Sequence, residues 1–264
     1  MLWQRILTAS VGIPIVLIVF YYAGLSLAIT SLVVVGLGVF EFFRMAEGMG
    51  TQPLIGLGYL ISFTWILFGV YFWQGQYLPI ALIILFFISA ARFLWKFPER
   101  NLLDLCVTFF GAFYIGGLFS FLLKIREANT EGWIFIFLVF LLTWSNDSAA
   151  YFVGSTFGKH RLCPKLSPKK SVEGFLGGMI FTVGVAVVFG HIFSGKLHIM
   201  WGLLGLLTAL VGSMGDLLES GFKRLSNTKD SGGLIPGHGG VLDRLDSLLL
   251  VAPLVYYYIQ IIPL

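Results

Sequence analysis

Nine stretches of about 20 predominantly apolar residues follow one another along this chain of 264, and no other feature constrains its fold as strongly. They run roughly over 6–23, 25–43, 54–73, 77–95, 102–123, 133–154, 172–193, 199–218 and 241–262. A helix needs about 20 such residues to cross the hydrocarbon core. The pattern therefore predicts an all-α, polytopic integral membrane protein with about nine transmembrane helices. Composition agrees: 58% of residues are hydrophobic and 11% charged, too few polar groups to cover a soluble core of this size. The same figures exclude a disordered chain. Two cysteines exclude a disulfide scaffold and a Cys-rich zinc site. The connections are short, so 1–264 reads as a single membrane domain. Within it, 1–100 supplies helices of unassigned role, and 101–264 supplies helices and cytoplasmic loops with the chemistry. The first stretch, after Arg5, shows no evident cleavage site and reads as an uncleaved span.

Alternate loops differ sharply in Lys and Arg. With the N-terminus inside, fourteen of the seventeen basic residues fall in inner loops, leaving Lys124, Arg126 and Lys196 outside. The positive-inside rule then predicts a cytoplasmic N-terminus and, with nine spans, an outer C-terminus.

The acidic residues cluster. Five of six aspartates, Asp147, Asp216, Asp230, Asp243 and Asp246, lie within 147–246. Asp147, Asp216, Asp243 and Asp246 sit in or at the inner ends of spans, where a carboxylate is costly unless it faces a partner or polar cavity. Capping and ordinary ion pairing explain one such residue as well as function does; they explain four on two neighbouring loops less well. Asp243 and Asp246 are three apart, on one face of a helix, and repel unless a cation lies between them. Asp216, across the intervening loop, completes an oxygen-only donor set that suits one or two Mg²⁺ or Mn²⁺ ions and not zinc.

The loop between the last two spans combines Ser220, Lys223, Arg224, Lys229 and Asp230 with a glycine-rich run containing Gly239 and Gly240. Glycines admit close approach of backbone N–H groups to phosphate, although a mobile connector has the same composition. His238 reads as a phosphate contact, an acid or a surface residue. The other inner loop carries Lys159, Arg161, Lys165, Lys169 and Lys170. Ser167-Pro168 there predicts a helix start, with two lysines beside an anion-favouring N-terminus. Contact with anionic head groups is the competing reading for these charges. The GxxxG spacings Gly154/Gly158 and Gly174/Gly178 read as helix packing. Glu41 and Asp104 read as structural, and Cys106 and Cys163 as unpaired.

The segment SGFKRLSNTKDSGGLIPGHGGVLDRLD, 220–246, resembles the signature of the phosphatidate cytidylyltransferases, or CDP-diacylglycerol synthases. Every fixed element is in place: S-x-apolar-K-R, four residues, K-D, a small residue, P-x-H-G-G and D-R-x-D. Asp147–Tyr151 and Ser167–Gly174 resemble the family as well, with Ser171 where it usually has threonine. The resemblance implies transfer of CMP from CTP to phosphatidic acid in a lipid bilayer, Mg²⁺ dependence, and a homodimer; no nucleic acid is implied. Asp216 and Asp243, then Asp246, become the metal ligands it suggests. Lys223, Arg224, Lys229 and Arg244 are expected on the triphosphate. Lys169 and Lys170 are expected on the lipid phosphate or the same clamp, with Asp147, Ser220, His238, Gly239 and Gly240 contacting substrate.

A cation-coupled transporter would scatter its charges at mid-span and show an inverted repeat; neither pattern is visible. The D-G-x-x-A-R string of CDP-alcohol phosphatidyltransferases is absent. A CTP-dependent lipid kinase differs by transferring the γ-phosphate. The expected location is a bacterial inner membrane, with the site facing the cytoplasm.

Overall fold

In a chain this apolar the backbone must satisfy its own hydrogen bonds, and helices do so within each segment. The computed structural model describes residues 2–71, 76–128, 130–195, 198–235, 237 and 239–261. Its helices are α1 (Leu2–Tyr22), α2 (Gly24–Gly48), α3 (Ile55–Ile66), α4 (Leu78–Trp95), α5 (Leu102–Ala112), α6 (Leu118–Glu127), α7 (Gly132–Phe157), α8 (Val172–Ser194), α9 (Ile199–Leu225) and α10 (Leu242–Ile261). A π-helical turn, Leu67–Tyr71, extends α3, and another, Phe113–Gly117, joins α5 to α6. The described residues thus form nine helical rods over the expected apolar stretches. Six are long and apolar enough to cross a membrane; Ser10–Tyr22 and Ile55–Tyr71 are shorter apolar helices. The protein is an all-α polytopic membrane protein.

The helices fall into two compact units. One comprises Met1–Thr130 with Phe222–Leu245, the other Glu131–Gly221 with Asp246–Leu264.

In the first unit, polar side chains secure the turn into α3. Asn101 and Asp104 form a reciprocal capping box on α5. Asp104 Oδ1 accepts from Gln52 N at 2.6 Å, and Thr108 Oγ1 accepts from Leu54 N at 2.8 Å. Asp104 is therefore structural. Phe222 of α9 packs edge-on against Phe42 and Tyr114, with ring centroids 5.5 and 5.6 Å away. These aromatic rings help form the core beneath the loop that follows α9.

In the second unit, α7 and α8 meet through small residues. A Cβ on Gly174 would stand 2.7 Å from Ala150 O and 2.9 Å from Gly154 Cα. One on Gly178 would stand 2.8 Å from Asn146 Oδ1. Hydrocarbon gives little hydrophobic drive for helix association, so close backbone approach supplies it through dispersion.

The chain between α7 and α8 departs from expectation. Ser167 and Pro168 do not start a helix. They open β2 (Ser167–Ser171), which pairs antiparallel with β1 (Arg161–Cys163). The helix starts at Val172, and its cap is Ser171, whose Oγ accepts from Gly174 N at 3.1 Å. A Ser-Pro pair suits an extended strand as well as a first turn, and here hairpin pairing decides. Lys169 and Lys170 therefore lie on a strand one step before the helix.

Candidate active site

In the first unit the loop after α9 is built around two carboxylates. Asp243, in the first turn of α10, has a side chain only 7% exposed. Its Oδ1 receives Lys223 Nζ at 2.8 Å. Its Oδ2 accepts from Gly240 N at 2.8 Å, lies 2.9 Å from Ser231 Oγ, and accepts from Ser231 N at 3.0 Å. Glu41, from α2, is 1% exposed. Its Oε1 accepts from Val241 N at 3.0 Å; its Oε2 accepts from Leu242 N at 2.8 Å and lies 3.1 Å from Ser231 Oγ. Both amides precede or open α10, whose first-turn N–H groups have no partner within the helix. A carboxylate there also complements the helix dipole.

The glycines serve these carboxylates. Gly239 has φ +85°, a conformation that strains any residue with a Cβ, and such a Cβ would stand 2.6 Å from Asp243 Oδ2. A Cβ on Gly240 would collide with Ser231 Oγ and Glu41. In this structure, then, the Gly240 N–H faces a carboxylate of the chain itself, where sequence reasoning expected phosphate. Arg224, Lys229, Asp230 and Arg244 are exposed. His238 lies outside the described residues.

The second unit holds the other expected residues. Lys170 Nζ sits 2.5 Å from Asp216 Oδ2, and Ser220 Oγ makes a long 3.4 Å contact with Asp216 Oδ1. Asp246 has Asp216, Glu219 and Asp147 close enough for each to act on its charge. Glu219 is buried, Asp246 partly buried and Asp147 exposed. Glu173 braces the turn before β1. Its carboxylate accepts from Lys159 N at 3.1 Å and His160 N at 3.2 Å, and meets His160 Nδ1 at 2.6 Å. Lys169 is exposed.

Metal fit can be judged on these contacts. Among the described residues no three His, Cys, Asp or Glu side chains are gathered tightly enough to hold an ion as they stand. The donors are nonetheless oxygen-only, as Mg²⁺ prefers. Asp216 and Asp243 each carry a lysine ammonium, at 2.5 and 2.8 Å, where a cation would neutralise them. Asp246 lies within electrostatic reach of three other carboxylates, so added positive charge there is favourable.

A profile of the cytidylyltransferase family matches residues 3–262. The chain belongs to the cytidylyltransferase family. Curated relatives agree. A phosphatidate cytidylyltransferase of Bacillus subtilis is 33% identical over 268 residues, covering 98% of this chain and 97% of the relative. One of Haemophilus influenzae is 36% identical over 290 residues, covering 98% of each. One of Staphylococcus saprophyticus is 45% identical over 143 residues, about half of each chain. The cytidylyltransferase match extends over the helices before residue 100, among them the one that carries Glu41.

Sequence reasoning gave Glu41 no place in the site. An acid flanked by Phe40 and Phe42 in a largely apolar helix signals an internal partner. What it cannot signal is that the partner is the backbone entering α10.

Proposed function

We propose that this cytidylyltransferase transfers CMP from CTP to phosphatidic acid, forming CDP-diacylglycerol and releasing pyrophosphate. The observation that carries the reading is the family match over nearly the whole chain, supported by the pairing of Lys223 with Asp243 inside the signature segment. An oxygen of the lipid phosphate attacks the α-phosphorus of CTP, forming a new P–O–P bridge. The bond from the α-phosphorus to the bridging oxygen breaks, and pyrophosphate leaves with its electron pair. The attacking phosphate is already anionic near neutral pH, so no strong general base is needed.

What the reaction needs is the approach of two polyanions and stabilisation of the charge that builds on the leaving group. Lys223, Arg224, Lys229 and Arg244 supply positive charge for the triphosphate, and Lys169 and Lys170 supply it for the lipid phosphate or the same clamp. Ser220, Gly239, Gly240, His238 and Asp147 complete the substrate contacts in this reading. Asp216, Asp243 and Asp246 would hold one or two Mg²⁺ ions. When bound, Mg²⁺ supplies charge neutralisation and polarisation of the phosphoryl oxygens. The reading includes a homodimer in a bacterial inner membrane, with the N-terminus and the catalytic loops on the cytoplasmic side, as the Lys and Arg distribution favours.

The test uses purified protein in detergent, phosphatidic acid and CTP labelled at its α-phosphate, with and without Mg²⁺. Label in a lipid product is expected. No labelled lipid, together with transfer from γ-labelled CTP and release of CDP, would replace this reading with a lipid kinase.

A further inference from the structure

An open groove of about 620 Å³ runs along the first unit between α2 and α3. On α2 it is lined by Leu32, Val33, Gly36, Leu37 and Phe40, one stripe at helical spacing. Tyr59 and Phe63 of α3 form the opposite wall, and no charged side chain lines it. The remaining lining residue is Leu234, from the glycine-rich loop of the signature segment. Leu234 is 50% exposed in a run of glycines, which is a poor place for a large apolar side chain unless something apolar covers it. The α2 wall of the groove ends one residue short of the candidate site. Glu41, which holds Ser231 and the start of α10, is the residue after Phe40.

We propose that this groove holds an acyl chain of the phospholipid substrate, with Gly36 giving the chain room and Leu234 closing over it next to the catalytic loop. The proposal rests on the phosphatidate reading and says where that substrate lies. Its occupant follows from three observations. The groove lies on α2, which is long and apolar enough to span the membrane. Its lining is uncharged and mostly apolar, which suits a hydrocarbon and not a head group. Its loop-side end belongs to the segment that binds the reacting phosphates in the proposed reaction. From Leu32 to Phe40 the stripe covers about 12 Å of helix, long enough to reward chain length.

Gly36 allows a direct test. A Cβ there would stand 3.5 Å from Phe63 Cζ, an ordinary contact, so the backbone admits a side chain at 36, and Gly36→Leu extends one into the groove. The measurement is kcat/KM for dioleoyl- and dihexanoyl-phosphatidic acid in mixed micelles of fixed lipid fraction, for wild type, Gly36→Leu and Leu234→Ala. In micelles the chain leaves hydrocarbon for the groove, so the groove's preference for long chains rests on packing contacts and not on transfer from water. Gly36→Leu removes those contacts and is therefore expected to lower the long-to-short ratio of kcat/KM several-fold. Leu234→Ala, at a half-exposed position, should lower the same ratio several-fold through KM for the long-chain substrate. An unchanged ratio in both variants overturns the proposal and makes the groove a seat for bulk lipid. A changed oligomeric state with an unchanged ratio also overturns it, in favour of a second copy of the chain. A wild type that labels neither lipid counts against the phosphatidate reading itself and is told apart on that ground.

Discussion

Ser231 and Glu41 are 190 residues apart in the chain, yet the serine hydroxyl lies 3.1 Å from the buried carboxylate. The same oxygen is 2.9 Å from Asp243 Oδ2. One hydroxyl thus ties the second helix to the first turn of α10. Glu41→Ala would strip Val241 N and Leu242 N of their acceptor in a buried setting, at about 1–3 kcal/mol for each group left unpaired. The expected outcome is a lower Tm in detergent and cytidylyl transfer reduced roughly a hundredfold or more, since misplacement by about 1 Å costs that much. Glu41→Gln keeps one acceptor oxygen and should recover part of both. Full activity in Glu41→Ala would show that the loop holds its shape without this clasp.

Asp243→Asn changes charge with little change of shape. One oxygen remains for the Ser231 and Gly240 amides, and the new NH₂ group then faces Lys223 Nζ, which loses its 2.8 Å acceptor. Transfer is expected to fall by roughly 10²–10³, the usual scale for one electrostatic element of a phosphoryl or acyl transfer site. Tm should move little. A large loss of Tm with proportionate activity would make Asp243 a fold residue alone.

The rods were legible because hydrocarbon imposes one length on every span, and local apolar runs report it directly. The candidate carboxylates were conspicuous for a related reason, since acids inside spans stand out against an apolar background. Pairings across the chain were not. Nothing near Lys170 indicates that its ammonium meets Asp216, because a two-stranded hairpin with an irregular register carries it there. Ser167-Pro168 misled because a local cap signal competes with strand pairing that only the partner Arg161–Cys163 reveals. The glycines at 239 and 240 read as approach points for phosphate; in this structure the groups close to them are the chain's own Asp243, Ser231 and Glu41.

The α7–α8 contact predicts a sharp steric limit. At Gly174 a Cβ already stands 2.7 Å from Ala150 O and 2.9 Å from Gly154 Cα, both backbone atoms that cannot swing aside. Gly174→Val should cost roughly 1–3 kcal/mol or more in overpacking and reduce the yield of monodisperse protein. Gly184→Ala on the same helix meets nothing within 4 Å and should leave Tm unchanged. Equal thermal stability of the two variants would show that α7 and α8 do not pack as closely as this.

Chelation is expected to abolish transfer, and Mg²⁺ to restore it, if Asp216 takes a metal ion in the proposed reaction. Lys170 then has a second, measurable effect. Its ammonium is 2.5 Å from Asp216 Oδ2 and neutralises the same oxygen that a cation would use. Two cations competing for one carboxylate raise each other's apparent dissociation constants. Lys170→Met should therefore lower the Mg²⁺ concentration for half-maximal activity several-fold, while lowering kcat through loss of a phosphate-facing charge. Lys170→Arg, which keeps the charge, should leave the Mg²⁺ requirement near that of the wild type. A Lys170→Met enzyme that needs more Mg²⁺ would mean that the lysine helps assemble the metal site and does not compete with it.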